Sequence, residues 1–142
     1  MDPANTPFEI LEHPADVGFL AHGATLEELF ANAALALMSL AWELEGVEER
    51  ESREIRAEGG ESDLLLYDWL AEILALADGE RLVLKRFVVN ELGPCRVRGT
   101  AWGEPFDRSR HRARTYVKAV TLHQFELRQS ERGWSARVFL DV

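Results

Sequence analysis

Two segments of the chain carry apolar residues every three to four positions, which is the spacing of an amphipathic helix. The first begins at Thr25, whose hydroxyl can accept the Glu28 amide while the Glu28 carboxylate reaches back to Thr25. The second begins at Ser62 or Asp63 and ends at residues 78–79, where the glycine suits a left-handed conformation. The apolar positions are Leu26, Leu29, Phe30, Ala33, Leu37 and Leu40 in the first helix, and Leu65, Leu66, Trp69, Leu70, Ile73, Leu74 and Ala77 in the second. Each helix is therefore expected to bury one face.

Elsewhere the apolar residues alternate with other residues, which predicts strands. A C-terminal strand is expected over residues 134–141, paired with a strand over residues 116–128 through the turn-rich link 129–133. Further strand candidates are residues 17–21, 53–57, 81–89 and 95–102. Two helices among hairpin-linked strands indicate an α+β fold in which both helices pack on a sheet.

The length of 142 residues and the 46% of hydrophobic residues fit one domain with a sizeable core. No repeat or linker divides residues 1–142, and residues 1–7 are expected to form a flexible N-terminus. No apolar stretch reaches the roughly 20 residues of a membrane span, and the first residues do not resemble a secretory signal. We therefore expect a cytoplasmic protein that has no contact with a membrane.

Charge is distributed unevenly along the chain. The formal net charge is −9, composed of −15 over residues 1–79 and +6 over residues 80–142. This balance argues against a nucleic-acid-binding protein whose whole surface is basic, and it suggests two different electrostatic faces.

The single cysteine, Cys95, excludes an internal disulfide framework and a cysteine-rich zinc site, and we expect it to be a small buried residue in a strand.

Acidic residues near both ends of the sequence are candidates for a metal site. Asp16 follows His13 in a turn-like segment, although an aspartate there also suits a simple Asx turn. Asp141 adjoins the terminal carboxylate of Val142, and with Asp16 these groups would offer hard oxygens to Ca²⁺, Mg²⁺ or Mn²⁺. The alternative for the C-terminus is a frayed strand whose acid faces water.

Basic residues in the second half are candidates for anion binding. On an extended segment, alternate arginines would share one side and grip phosphates, although a solvated face is the alternative. These arginines are Arg108, Arg110, Arg112 and Arg114. Lys118 lies among apolar neighbours and is expected to need an anionic partner, whereas His123 shares a predicted strand face with Phe125 and Leu127 and is expected in the core.

The sequence contains no glycine-rich phosphate loop, nucleophile elbow or metalloprotease helix. Catalysis by this protein alone therefore has little support.

Five segments taken together resemble the archease family, small proteins that activate RtcB-type RNA ligases. They are HPAD at 13–16, GATLEELF at 23–30, SDLLLYDWL at 62–70, VKAVTLH at 117–123 and LDV at 140–142. The resemblance extends from about Phe8 to Val142. It departs from the family pattern at Leu122, where an aromatic residue is expected before the histidine.

The resemblance implies a protein that is not itself an enzyme but promotes guanylylation and multiple turnover of a partner ligase in tRNA splicing and RNA repair. GTP and Mn²⁺ would belong to the ligase, and RNA would be met only through it. The family's metal positions correspond to Asp16, Asp141 and Val142, with Ca²⁺ as the implied ion, while Mg²⁺ or Mn²⁺ also suit the oxygens. Lys118 corresponds to a lysine implicated in function, and we expect His13, Lys118 and His123 to face the partner.

Two other functions remain open. A stand-alone metal-dependent hydrolase or phosphotransferase would use Asp16 and Asp141 with His13 or His123. An RNA-binding or chaperone-like adaptor would instead use the four arginines on phosphates, and its affinity would depend steeply on salt.

Overall fold

The computed structural model describes residues 6–13 and 16–142, without the side chains of residues 12, 13 and 16. The predicted α+β class is confirmed. The helices are α1 (Leu26–Ala41) and α2 (Ser62–Glu80). The strands are β1 (Phe8–His13), β2 (Asp16–Gly23), β3 (Glu51–Glu58), β4 (Leu82–Leu92), β5 (Arg96–Pro105), β6 (Ala119–Val120), β7 (Glu126–Ser130) and β8 (Gly133–Asp141). Most of the predicted flexible N-terminus, residues 1–5, lies outside this description.

The helix ends differ in detail from the sequence prediction. The Thr25 hydroxyl accepts the Glu28 amide at 3.1 Å as expected, but the Glu28 carboxylate accepts the amide of Ala24, at 2.8 Å, and not that of Thr25. The second helix continues through Gly79, and the left-handed residue is Arg81, with φ of 54°. The chain reverses direction at Arg81 because the next residue already enters β4 and is buried.

The strands divide into two antiparallel sheets. A five-stranded sheet has the order β1-β2-β8-β6, with β7 also paired to β8, and a three-stranded sheet has the order β3-β5-β4. Helix α1 packs against both sheets, through β2 and β4, and α2 packs mainly on β3. The candidates in the first part of the chain each overlap β2, β3, β4 or β5, with ends that differ by one to three residues, whereas β1 was not foreseen.

The predicted continuous strand over residues 116–128 is wrong. It is interrupted by a turn in which the Phe125 amide donates to the Leu122 carbonyl and Gln124 takes a left-handed φ of 49°. The flanking segments β6 and β7 both pair with β8. The hairpin from β7 to β8 closes at Gly133, where a φ of 121° and the Gly23 carbonyl, 2.4 Å from any added Cβ, require glycine.

Trp69 joins both helices to the three-stranded sheet. Its side chain is fully buried, its indole donates to the Phe30 carbonyl at 3.0 Å, and its ring lies 6.3 Å from that of Phe30. On the sheet side, a Cβ added at Gly99 would lie 2.5 Å from the Trp69 ring. The absence of a side chain at Gly99 therefore allows α2 to approach β5 closely.

Two of the global expectations can be compared with the fold. Cys95 is exposed in the turn before β5, so the prediction of a buried strand residue is wrong. Cys95 lies just before the first residue of β5, where its carbonyl accepts the Gly59 amide at 2.9 Å beyond the last pair of β3 and β5. In the described ranges, neither helix is both long and apolar enough to cross a bilayer.

Candidate functional site

Neighbouring strands bring several predicted site residues to one end of the five-stranded sheet. His13 and Asp16 form the last pair between β1 and β2. Val17 pairs with Leu140 between β2 and β8, and Asp16 and Asp141 are the next residues beyond that pair on their strands. Adjacent strands lie about 4.8 Å apart, so the main chains of Asp16 and Asp141 are neighbours. The roles predicted for the His13 and Asp16 side chains lie outside the described residues.

Lys118 joins the same end of the sheet through its main chain. Its amide donates to the Asp141 carbonyl at 2.8 Å, and the following residue, Ala119, pairs with Asp141. The neighbouring Val117 is buried, but the side chain of Lys118 is exposed. The expectation that Lys118 needs an anionic partner is therefore wrong, because water can solvate its ammonium group.

His123 lies in the turn between β6 and β7 and is exposed, so the prediction of a core histidine is wrong. The turn is held on β8 because the Thr121 amide and hydroxyl donate to the Phe139 carbonyl at 3.1 and 2.9 Å. The His123 ring lies 5.8 Å from the Phe139 ring. Phe139 and Asp141 share a face of β8 because alternate residues of a strand point the same way. The turn thus brings an imidazole to the face that carries Asp141.

We call the end of the sheet formed by Asp16, Lys118, His123, Asp141 and Val142 the sheet tip. Asp141 and Val142 are both exposed, so the C-terminal acid faces water even though β8 is paired with β2 up to Leu140 and with β6 up to Asp141. The described residues contain no cluster of three His, Cys, Asp or Glu side chains able to hold a metal. A metal site at the sheet tip that uses Asp141 would therefore need ligands beyond the described side chains, such as the Asp16 carboxylate.

The four candidate arginines do not form a single extended row. A turn interrupts the run, because the amides of Arg110 and His111 both donate to the Asp107 carbonyl. Arg108, Arg112 and Arg114 are exposed. Arg110 instead directs its guanidinium at Glu104, so it is not free to bind a phosphate. The prediction of one shared arginine face is wrong.

Glu104 is a buried and hydrogen-bonded carboxylate that the sequence analysis did not predict. Its side chain is 1% exposed and accepts two hydrogen bonds from Arg110, at 2.7 and 2.9 Å. The Glu48 amide donates to it at 2.6 Å, and His111 Nε2 lies 3.1 Å from its Oε2. Because Nδ1 of His111 accepts the Asp107 amide, its proton is on Nε2, facing Glu104.

The Arg110 guanidinium, aided by the Glu48 amide and His111, lowers the pKa of the Glu104 carboxyl to about 2, against the opposing effect of burial. The group is therefore an anion at neutral pH, and both of its oxygens already accept hydrogen bonds from neighbouring groups. It fastens the loop before β3 and the turn after β5 to the end of β5. No pattern in the sequence marked Glu104, since Glu48 is 56 residues away and Arg110 belongs to a run of similar basic residues.

Known proteins resemble this chain along nearly its whole length. A model of the Archease protein family matches residues 8–142. A protein archease from Methanosarcina mazei is 38% identical over 139 residues, which cover 95% of each chain. Another from Methanopyrus kandleri is 40% identical over 139 residues, covering 96% of this chain and 99% of the relative. The solution structure of Methanobacterium thermoautotrophicum protein 1598 is similar with a TM-score of 0.83 and 37% identity, covering 96% of this chain and 99% of that chain.

Proposed function

Because the chain belongs to the archease family, we propose that it is an accessory activator of an RtcB-type RNA ligase. In this role it promotes guanylylation and multiple turnover of the ligase in tRNA splicing and RNA repair. The protein itself is not an enzyme, and it acts in the cytoplasm. The ligase binds GTP and Mn²⁺, and RNA is reached only through the ligase.

The observation that carries this proposal is the convergence of strand ends at the sheet tip. The main-chain bond from Lys118 to Asp141, at 2.8 Å, and the pairing of Val17 with Leu140 bring separate parts of the chain to one exposed edge. These same parts contain motifs that resemble the family pattern. A tip that carries Lys118 and acidic residues on neighbouring strand ends suits insertion into a polar cleft of a partner.

The donor set of the sheet tip suits a hard divalent cation. Asp16, Asp141 and the main-chain carboxylate of Val142 would hold it, and all three supply oxygen, which Ca²⁺ prefers and Mg²⁺ or Mn²⁺ accept. A bound cation would neutralise carboxylates that otherwise repel one another at the tip. Lys118 and His123 remain exposed beside them to contact the ligase.

Activation needs a difference in affinity between two ligase conformations. A ligand shifts a conformational equilibrium only by as much as it prefers one state. The sheet tip would bind the conformation that accepts a new guanylyl group more tightly than the conformation that retains product. The charge of −15 over residues 1–79 supports association with a basic RNA-binding enzyme, because complementary potentials speed encounter and orient the partners.

The test is ligase guanylylation and multiple-turnover ligation with substoichiometric activator. We expect stimulation by wild type and its loss in Asp16→Asn and Asp141→Asn. The control Asp63→Asn removes an exposed acid at the start of α2 and should stimulate like wild type. Absence of stimulation by wild type with a cognate ligase would refute the proposal. Metal-dependent hydrolysis without ligase, or RNA binding that weakens steeply with salt, would favour the other two functions.

A further inference from the structure

A cavity of about 310 Å³ opens where the C-terminal ends of α1 and α2 meet the segment before β6. The segment is fixed there by main-chain bonds, because the amides of Arg114 and Thr115 donate to the carbonyls of Ala41 and Leu40 at 2.8 and 3.1 Å. Trp42 forms a further bridge to Ala113 on that segment. The cavity is therefore built on hydrogen-bonded backbone.

Aliphatic side chains form the inner wall of the cavity, and three aromatic residues also line it. The aliphatic residues include Met38, Leu74, Ala77 and Val117. The aromatic residues are Trp42, Phe106 and Tyr116, and the rings of the first two lie 5.2 Å apart with a tilt of 45°. Phe106 is 41% exposed and Tyr116 is 72% exposed. Exposed aromatic residues beside an apolar cavity are typical of a binding site for a side chain of another protein.

Asp78 is an exposed acidic residue that lines this cavity. Among the described residues no ion pair joins its carboxylate to a basic group, although Arg81 also lines the cavity. Partial burial raises the pKa of the Asp78 carboxyl. A carboxylate that loses water without gaining a cation is stabilised by any cation that enters.

We propose that this cavity binds the side chain of a lysine or arginine on the surface of a protein partner. The methylene stem packs between the aliphatic walls and the aromatic rings. The charged head meets the Asp78 carboxylate and the faces of Trp42 and Tyr116, since aromatic rings attract cations. The Asp78 carboxylate and the aromatic faces favour a cationic group, while Arg81 is the basic residue among those that line the cavity.

The position of the cavity connects it to the sheet tip. Tyr116 and Val117 line the cavity, and the next residue, Lys118, is bonded to Asp141 at the tip. A partner that contacts Lys118 at the tip is therefore close along the chain to Tyr116, which lines the cavity. The expected partner is the RtcB-type ligase, and this identification rests on the proposed function. The binding of a cation by the cavity does not depend on the proposed function.

The first experiment tests the cavity alone. Titration with n-butylguanidinium, followed by NMR, should shift the indole signal of Trp42, assigned from a Trp42→Phe variant, and neutral 1-pentanol should bind more weakly. Asp78→Asn should weaken binding of the cation about five- to tenfold, whereas Glu72→Gln, an exposed acid elsewhere on α2, should leave it unchanged. Arg81→Asn removes a like charge, tolerates the left-handed backbone and should strengthen binding. The proposal would be overturned in favour of an anionic ligand by either of two results. One is stronger binding of the cation by Asp78→Asn together with weaker binding by Arg81→Asn. The other is a shift of the Trp42 signal with uridine monophosphate and none with the cation.

The second experiment separates the cavity from the proposed function. The affinity of a cognate RtcB-type ligase is measured for wild type, Asp78→Asn, Tyr116→Ala and Glu72→Gln. We expect the first two variants to bind about tenfold more weakly than wild type and Glu72→Gln to bind equally. If wild type stimulates the ligase while Asp78→Asn and Tyr116→Ala bind it normally, the cavity proposal is refuted and the activator function stands. If wild type does not stimulate the ligase, the activator function fails, and the titration with n-butylguanidinium still decides whether the cavity binds cations.

Discussion

Replacement of Glu104 by glutamine removes the buried charge that holds two loops on the end of β5. The side chain is 1% exposed, and both carboxylate oxygens accept from Arg110. Glutamine keeps the size of the side chain, but it carries no charge and has only one accepting oxygen. The guanidinium of Arg110 and the amide of Glu48 then compete for that oxygen. We expect the folded state to lose stability without a change of fold.

The magnitude follows from the pKa of Glu104. Its carboxyl has an ordinary pKa of 4.5, which the Arg110 guanidinium and the other donors lower to about 2 in the folded protein. Each unit of difference between the folded and unfolded states corresponds to about 1.4 kcal/mol, so the ionised group stabilises the fold by about 3 kcal/mol. Because the folded pKa is the lower one, this stabilisation is fully present above about pH 5. It is lost as the pH falls toward 2.

Urea unfolding of wild type and Glu104→Gln at several pH values tests this reasoning. At pH 7 the variant should be about 3 kcal/mol less stable, and this difference should shrink steadily between pH 5 and pH 2. The control Glu49→Gln removes an exposed carboxylate that accepts from Arg86 at 2.6 Å, and it should cost less than about 1 kcal/mol. A difference at pH 7 no larger than that of the control, or one that stays constant down to pH 2, would contradict the assignment.

Substitutions at three further positions test the packing and capping of the helices by thermal or urea unfolding. Gly99→Ala should destabilise the protein by about 2 kcal/mol or more, since its Cβ would lie 2.5 Å from the Trp69 ring, and an unchanged midpoint would contradict this close approach. Gly79→Ala should instead stabilise by about 0.5 kcal/mol, because the position is helical and open space surrounds its Cβ. Thr25→Ala should cost about 1 kcal/mol because the Glu28 amide loses its cap, and Thr25→Ser should retain most of the stability.

Local sequence patterns were sufficient where neighbouring residues determine the structure. The start of α1 at Leu26 follows from the Thr25 hydroxyl and the helical spacing of apolar residues after it. The strand candidates in the first part of the chain were located correctly, because alternation reflects one buried face. Alternation of apolar residues did not predict β1, and it did not predict the turn that separates β6 from β7. The conformation of β1 and β6 depends on pairing with β2 and β8, which alternation within a single segment does not reveal.

The candidate site divides in the same way. The residues of the sheet tip could be named from motifs in the sequence, since each motif is a local run of residues. The position of His123 could not be predicted from the apolar spacing around it, because it depends on how a turn and a short strand lie against β8. Likewise, the bond between Glu104 and the Glu48 amide joins residues 56 positions apart.

The sequence by itself determined the α+β class, the two helices, most of the strands and the set of residues at the sheet tip. The tertiary structure decided that the strands form two sheets, that Arg110 is bound to Glu104 and that a cavity opens beside Asp78. The physical reason is the range of the interactions. Helix capping and apolar periodicity act within a few residues, whereas strand pairing, buried ion pairs and cavities depend on groups that meet only after the chain has folded.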